Sequence, residues 1–271
     1  MTAVFKHELR SYFHSLTAYV FGAFLLAFIG IGAMLYNLQA AVSNFEYVLS
    51  FASLVFVVIV PVLTMRVLAE ERRQKTDQLL YSLPITTVQI IAGKYLALLV
   101  LYLIPLAIIA VYPLIFAQFG DVYLLTSYGS ILAFFLLGAV EIAVGMLISS
   151  LTESQIIAAV GTFGLLLLLY LWDGLVGFLP STAVGSLLGF FVVLILVCFL
   201  INALSNNWKV TAGVLVAGAA VLIAFYLRDS SVFANLLPDV LGKFSLLSAF
   251  DSFSTVSYTH LRAHETAANL V

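Results

Sequence analysis

The residues able to do chemistry in this sequence fall in three places. The stretch 66–94 holds Glu70, Glu71, Arg72, Arg73, Lys75 and Asp77, about a quarter of the charges in a chain with 11 Lys plus Arg and 13 Asp plus Glu. Mixed charges so clustered offer ionic contacts to a partner or a headgroup. Glu141 stands alone in Gly138-Ala139-Val140-Glu141-Ile142-Ala143-Val144-Gly145. A carboxyl group in an apolar run serves a cargo or proton pathway, or it packs at a helix interface. Gly138, Glu141 and Gly145 share a face at i, i+3 and i+7, and small residues there permit close helix approach. The third place is His260, His264 and Glu265. Histidines four apart can share a metal, but the order is not His-Glu-x-x-His and no further ligand is evident, so no metal site is expected.

What is missing narrows the function. No Gly-x-x-x-x-Gly-Lys-[Ser/Thr] phosphate loop occurs; Gly93-Lys94 lacks both the upstream glycine and the following hydroxyl. Nucleotide chemistry therefore belongs to another polypeptide if it is involved at all. The four histidines lie at 7, 14, 260 and 264, outside the apolar runs, which argues against an intramembrane protease. No catalytic residue and no cofactor-binding residue is expected on this chain.

The elements that must position these groups follow from composition. Apolar types make up 63% of the 271 residues and charged types 9%, with a mean hydropathy of +1.17. A soluble domain carries roughly 25% charge. Soluble enzymes and nucleic-acid-binding modules are excluded, and the fold class is an all-α polytopic membrane protein. Runs of about 20 apolar residues predict seven spans, at 16–36, 47–67, 91–116, 127–148, 155–178, 184–204 and 210–227. The runs lack the period-two alternation of barrel strands. With the N-terminus in the cytoplasm, the inside receives Lys6, Arg10, Arg66, Arg72, Arg73, Lys75, Lys94 and Lys209, and the outside Arg228 and Lys243, with Arg262 in the terminal tail.

Residues 1–15 predict an interfacial helix, with Phe5, Leu9, Tyr12 and Phe13 on one face and Lys6, His7, Arg10 and His14 on another. The stretch 66–94 predicts a continuation of the second span, with Glu71 and Lys75 as an i,i+4 pair. Thr76, Leu79, Leu80 and Leu83 then form a stripe, Pro84 ends that helix, and Thr86 or Thr87 caps the next. So small a helix gains little by burying leucines against itself. The stripe lies on the membrane surface or docks into another protein's groove. Thr152-Glu153-Ser154-Gln155 matches a capping box, with Thr152 as cap and Gln155 reaching back. That turn is structural, or it is a second, smaller partner contact through Thr152 and Glu153. Pro61, Pro105 and Pro113 sit within spans and each can kink a helix. Residues 229–254 predict short exterior helices.

The run Glu70-Glu71-Arg72-Arg73-Gln74-Lys75-Thr76-Asp77-Gln78-Leu79-Leu80-Tyr81-Ser82-Leu83-Pro84-Ile85-Thr86, with Gly93-Lys94 after it, resembles the cytoplasmic signature of ABC-2 type transporter permeases. The branch it looks most like is the gliding-motility-associated (GldF-like) one. Residues 149–158 and the N-terminal Lys6-His7-Glu8-Leu9-Arg10-Ser11-Tyr12-Phe13 are similar to that branch as well. The likeness covers about residues 1–254 and says nothing of cargo.

The resemblance implies the permease subunit of an exporter in the cytoplasmic (inner) membrane. Residues 66–94 would be the coupling segment, and Glu70, Glu71, Thr76, Asp77, Leu79, Leu80 and Pro84 its contacts to a separate cytoplasmic ATPase. ATP and Mg would sit on that ATPase. The other partners would be a second permease subunit, in a homo- or heterodimer, and membrane lipid, with no nucleic acid. Family members have one more span after the exterior region, so a final span is expected to be missing. Composition turns polar at 256–266, a string similar to translated adapter read-through, and residues 255–271 are set aside as a non-native tail. The rival functions are an ATP-independent channel or secondary transporter, which would show paired intramembrane charges or broken helices in matching repeats, and a membrane scaffold of a surface machine.

Overall fold

The computed structural model describes residues 2–75, 86–120, 122–205, 208–228, 233–243 and 245. All described regular structure is helical. The described residues divide into two compact units, one up to Tyr170 and one from Leu171 onward.

The first unit is a bundle built around one buried helix. Its elements are α1 (Thr2–His14), α2 (Leu16–Ala33, running into a π-helical turn Met34–Gln39), α3 (Glu46–Thr64), α4 (Ala69–Gln74), α5 (Thr87–Ile109), α6 (Tyr112–Phe116), α7 (Leu124–Leu151) and α8 (Gln155–Tyr170). Helix α3 is buried along most of its length and packs on α2, α7 and α8, while α5 packs on α1, α2 and α7.

Helix α7 shows why this bundle belongs in lipid. Leu125, Leu132, Leu136, Val140, Leu147 and Leu151 form its exposed face. Ser127, Ser130, Gly138, Glu141, Gly145 and Ser149 lie on its buried face. An exposed leucine face, with serines and glycines set among the apolar residues of the buried face, suits a solvent of acyl chains. At 28 residues α7 is about 42 Å long, enough to cross a hydrocarbon core of roughly 30 Å.

Tyrosine hydroxyls need acceptors in such a medium and take helix carbonyls. Tyr95 donates to Ala139 O (3.0 Å), Tyr102 to Phe134 O (2.8 Å) and Tyr128 to Ala110 O (3.1 Å). The partners descend along α7 as they ascend along α5, so the two helices are antiparallel. Phe56, Tyr102 and Phe134 fill the centre, with ring centroids 5.0 Å apart for Phe56–Tyr102 and 5.1 Å for Phe56–Phe134.

Five helical stretches are long and apolar enough to cross a membrane among the described residues: Leu16–Gln39, Glu46–Gln74, Thr87–Phe116, Leu124–Leu151 and Thr211–Arg228. Gln155–Tyr170 and Ala183–Phe199 are apolar but shorter. The predicted fifth span, 155–178, is not one helix. It stops at Tyr170 and a six-residue helix, α9 (Trp172–Gly177), follows. Trp172 and Asp173 bring polar groups that find partners in their own unit. The indole donates to Leu241 O (2.7 Å), and Ser245 donates to the Asp173 carboxylate (2.7 Å). Pro113 has a similar effect on the predicted third span. It has no N–H to give Ile109, so α5 ends there and α6 begins with proline in its first turn. Pro61 and Pro105 lie inside helices that continue.

The second unit holds α9, α10 (Ala183–Ser205), α11 (Trp208–Arg228) and α12 (Leu236–Gly242). Helices α10 and α11 pack together, Leu194 lying against Gly218 where a Cβ would come within 2.7 Å. Within the expected exterior region 229–254, Phe233 and Leu237 are buried, and Phe233 packs edge-on against Phe190 and Tyr226. The residues set aside as a tail, 255–271, lie outside the described ones.

Candidate functional site: the charged end of the bundle

Most charges described in the first unit lie toward one end of it, apart from Glu46 at the start of α3 and Glu141 within α7. Helix α3 does not continue into 69–74 as one rod, which corrects the sequence expectation. Residues 65–68 are turns and α4 starts afresh at Ala69. A broken helix leaves backbone groups without intrahelical partners, and in a buried place they must find others. Ser149 of α7 supplies them. Its hydroxyl accepts the N–H of Leu68 (3.2 Å) and of Ala69 (3.1 Å), and donates to Met65 O (3.3 Å). Ser149 and Ala69 are both fully buried.

Helix α4 is short because Lys75 takes a left-handed conformation at its C-cap, with φ 56°. This also sets aside the expected Glu71–Lys75 pair. The Glu71 carboxylate lies instead 2.6 Å from Lys94 Nζ. Lys94 projects from α5 and is 1% exposed, and its second carboxylate is Glu8 of α1, also at 2.6 Å. One ammonium thus joins three helices. A charge so buried is costly unless paired, and removing one partner of such a pair typically costs about 3–5 kcal/mol.

Glu70 is engaged on its own side of the joint. Arg66 donates Nε and Nη2 to its two carboxylate oxygens, at 2.9 and 3.2 Å, and Gln74 donates to Oε1 at 3.2 Å. With both acids held inside the chain, the outward side of this segment is cationic. Arg72, Arg73 and Lys75 are exposed and have no ion-pair partner among the described residues. Thr76, Asp77, Leu79, Leu80 and Pro84 lie outside the described residues. The next described residue, Thr86, closes a capping box with Gln89 at the start of α5.

Helix α1 differs from a free interfacial anchor. Its half-buried positions are Val4, Phe5, Glu8, Leu9 and Tyr12, on the side where it packs on α5, and Phe13 is exposed. Lys6, His7, Arg10 and His14 are exposed, as their helical face predicts. A cavity of about 410 Å³ opens beside the ionic knot, lined by His7, Glu8, Tyr12, Arg66, Glu70, Glu71 and Lys94 among others. Burial, with the carboxylates of Glu8 and Glu71 added, pushes the Tyr12 phenol above its ordinary range.

Glu141 is 5% exposed, and its Oε2 has no hydrogen-bond partner among the described residues. The glycines of its face do what the spacing predicts. A Cβ on Gly138 would come within 2.6–2.8 Å of the Tyr102 and Phe56 rings, and one on Gly145 within 2.8 Å of Thr64 Cβ. Helices α3 and α5 therefore touch α7 almost at its backbone. Glu141 lines neither the polar cavity nor the apolar groove of about 410 Å³ between α5 and α7. Thr152 does not close the expected capping box. Its hydroxyl accepts the Ser154 N–H (3.1 Å), and α8 begins after Ser154.

Sequence reasoning passed over Glu8, Lys94 and Ser149 as site residues. Lys94 carried a signal: a lysine well inside the helical run 87–109 requires a carboxylate partner. No group of three or more metal-ligating side chains occurs among the described residues.

Neither a curated protein nor a solved structure matches the sequence. A family model described as ABC-2 family transporter protein matches residues 2–257. The chain belongs to this ABC-2 transporter family, a membrane component of ABC transporters and not their catalytic part, and its leucine-faced helices agree with that.

Proposed function

We propose that the chain is the permease subunit of an ATP-binding-cassette exporter and that residues 66–94 couple it to a separate ATPase. The observation that carries this is the construction of α4. It is a short helix set off from α3 by a break, braced from behind by Ser149 and Lys94, and cationic on its free side. Glu70 and Glu71 brace the segment. Arg72 and Arg73, with Thr76, Asp77, Leu79, Leu80 and Pro84, meet the ATPase. ATP binding closes an ATPase dimer carrying ATP and Mg, the segment moves with it, and the bundle switches between inward and outward states.

In this reading the chain has seven spans, its N-terminus lies in the cytoplasm, and it pairs with a second permease subunit in the cytoplasmic membrane. It stands with the GldF-like branch. Thr152 and Glu153 form a smaller second contact, residues 229–254 cover the outer end of the path, and Glu141 lies on the moving α3–α7 interface.

The test is to co-express the chain with an ABC ATPase from the same source and reconstitute the purified pair in vesicles. The pair is expected to co-purify and to show ATP-driven transport, while Arg72→Glu with Arg73→Glu loses the ATPase. Transport without an ATPase would favour the channel or secondary transporter. A stable complex with no transport would favour the scaffold.

A further inference from the structure

The ionic knot gives α1 a second role. We propose that Lys94 makes the N-terminal helix a moving part of the coupling device, so that displacement of α4 is passed to α1 through one shared ammonium. The proposal rests on the coupling reading above and goes beyond it by naming the element that follows the coupling segment and the residue that links them.

The knot connects the two helices directly. Glu8 and Glu71 lie 63 positions apart in sequence, yet each is 2.6 Å from the same Nζ. Lys94 is 1% exposed, whereas the side chains of Glu8 and Glu71 are 15% and 22% exposed. The cation is therefore fixed in the bundle and the two anions approach it from the rim. Two carboxylates share one ammonium. Each carboxylate alone would hold Lys94 well, and together they repel each other across it. Pulling Glu71 away with α4 tightens the hold of Lys94 on Glu8, and bringing it back loosens that hold. Arg66 is paired with Glu70. The cavity beside the knot provides room for the movement, and Tyr12, one turn on from Glu8, lines it. A plain membrane anchor would place apolar residues at Glu8 and would have no use for a carboxylate directed inward.

The experiment is hydrogen–deuterium exchange on the full chain with its ATPase in lipid nanodiscs, with and without Mg and a non-hydrolysable ATP analogue. In the wild type, peptides covering 66–75 and peptides covering 2–14 both change protection with nucleotide. Glu8→Ala leaves Lys94 paired with Glu71. It is expected to raise exchange of 2–14 about tenfold or more and to abolish the nucleotide response there, while 66–75 still responds. Glu71→Ala is the decisive variant. It leaves α1 tied to Lys94 and protected, yet silences the nucleotide response of 2–14. Lys6→Ala, exposed on the same helix, changes nothing.

The proposal is overturned if 66–75 responds in the wild type while 2–14 does not, or if 2–14 keeps its response in Glu71→Ala. If 66–75 itself is silent in a complex that binds nucleotide, the coupling reading fails and this proposal falls with it. If Glu8→Ala does not yield a monodisperse complex, Glu71→Ala alone carries the test.

Discussion

Replacing Ser149 with alanine should loosen the joint between α3 and α4 without disturbing the helix that carries it. The substitution removes one oxygen and opens almost no cavity, so its cost is read from hydrogen bonds. Three backbone groups lose their partner: the N–H of Leu68, the N–H of Ala69 and the carbonyl of Met65. Ala69 is fully buried, and its stranded N–H carries the full penalty, about 1–3 kcal/mol. Leu68 and Met65 are half-buried, so water recovers part of what they lose. The sum is about 3 kcal/mol, which raises the population of the opened joint roughly a hundredfold. Exchange of the Leu68 and Ala69 amides in nanodiscs measures that population directly. The control is one residue away. Ser150 is half-buried, and its hydroxyl donates to Leu147 O in its own helix (2.6 Å), so Ser150→Ala should leave both amides protected. Equal protection in Ser149→Ala and wild type, or equal loss in both variants, would refute the assignment of the joint to the Ser149 hydroxyl.

Gly138→Ala should destabilise the bundle by about 1–3 kcal/mol, because its Cβ meets two aromatic rings; Gly164→Ala, with nothing within 4 Å, should be neutral or slightly stabilising, and melting in one detergent compares them. Similar melting temperatures for the two would remove the close α3–α7 packing from the account. Trp172→Phe should release α12 from α9 by removing the bond to Leu241 O, at about 1 kcal/mol, and speed tryptic cleavage after the exposed Lys243 severalfold. Tyr12 gives a pH effect with a definite sign. Its phenol is raised in the folded state, so the fold favours the neutral form, and this stabilisation is intact below the ordinary phenol pKa of about 10 and declines as pH rises above it. Tyr12→Phe should flatten the alkaline fall in melting temperature, and an unchanged fall would place the titrating group elsewhere.

Helix existence was legible from the sequence because apolar run length is a local property. The starts of α2, α8 and α10 lie within a residue of the expected ones, and of the two expected caps, Thr86 and Thr87, it is Thr86 that caps α5. Helix continuity was less legible. The breaks at 65–68 and at Leu171 are held by hydroxyl and indole bonds to partners 81 and 69 positions away, which no window of sequence contains. The acidic pair was recognised as special, but its two members face different partners. Glu70 answers to Arg66 four residues before it, a pairing that helical spacing permits. Glu71 answers to Lys94 and not to Lys75, because the left-handed Lys75 ends the helix that would have aligned them.

The sequence by itself determined the solvent: too few charges to cover a water-soluble surface, and apolar runs long enough for a bilayer. It also located the charged segment between the second and third runs. Only the tertiary structure decided what those charges do. Burial makes a charge choose a partner at contact distance, and contact distance between α1, α4 and α5 is set by tertiary packing, of α1 on α5 and of α4 on α7 and α8, not by spacing along the chain.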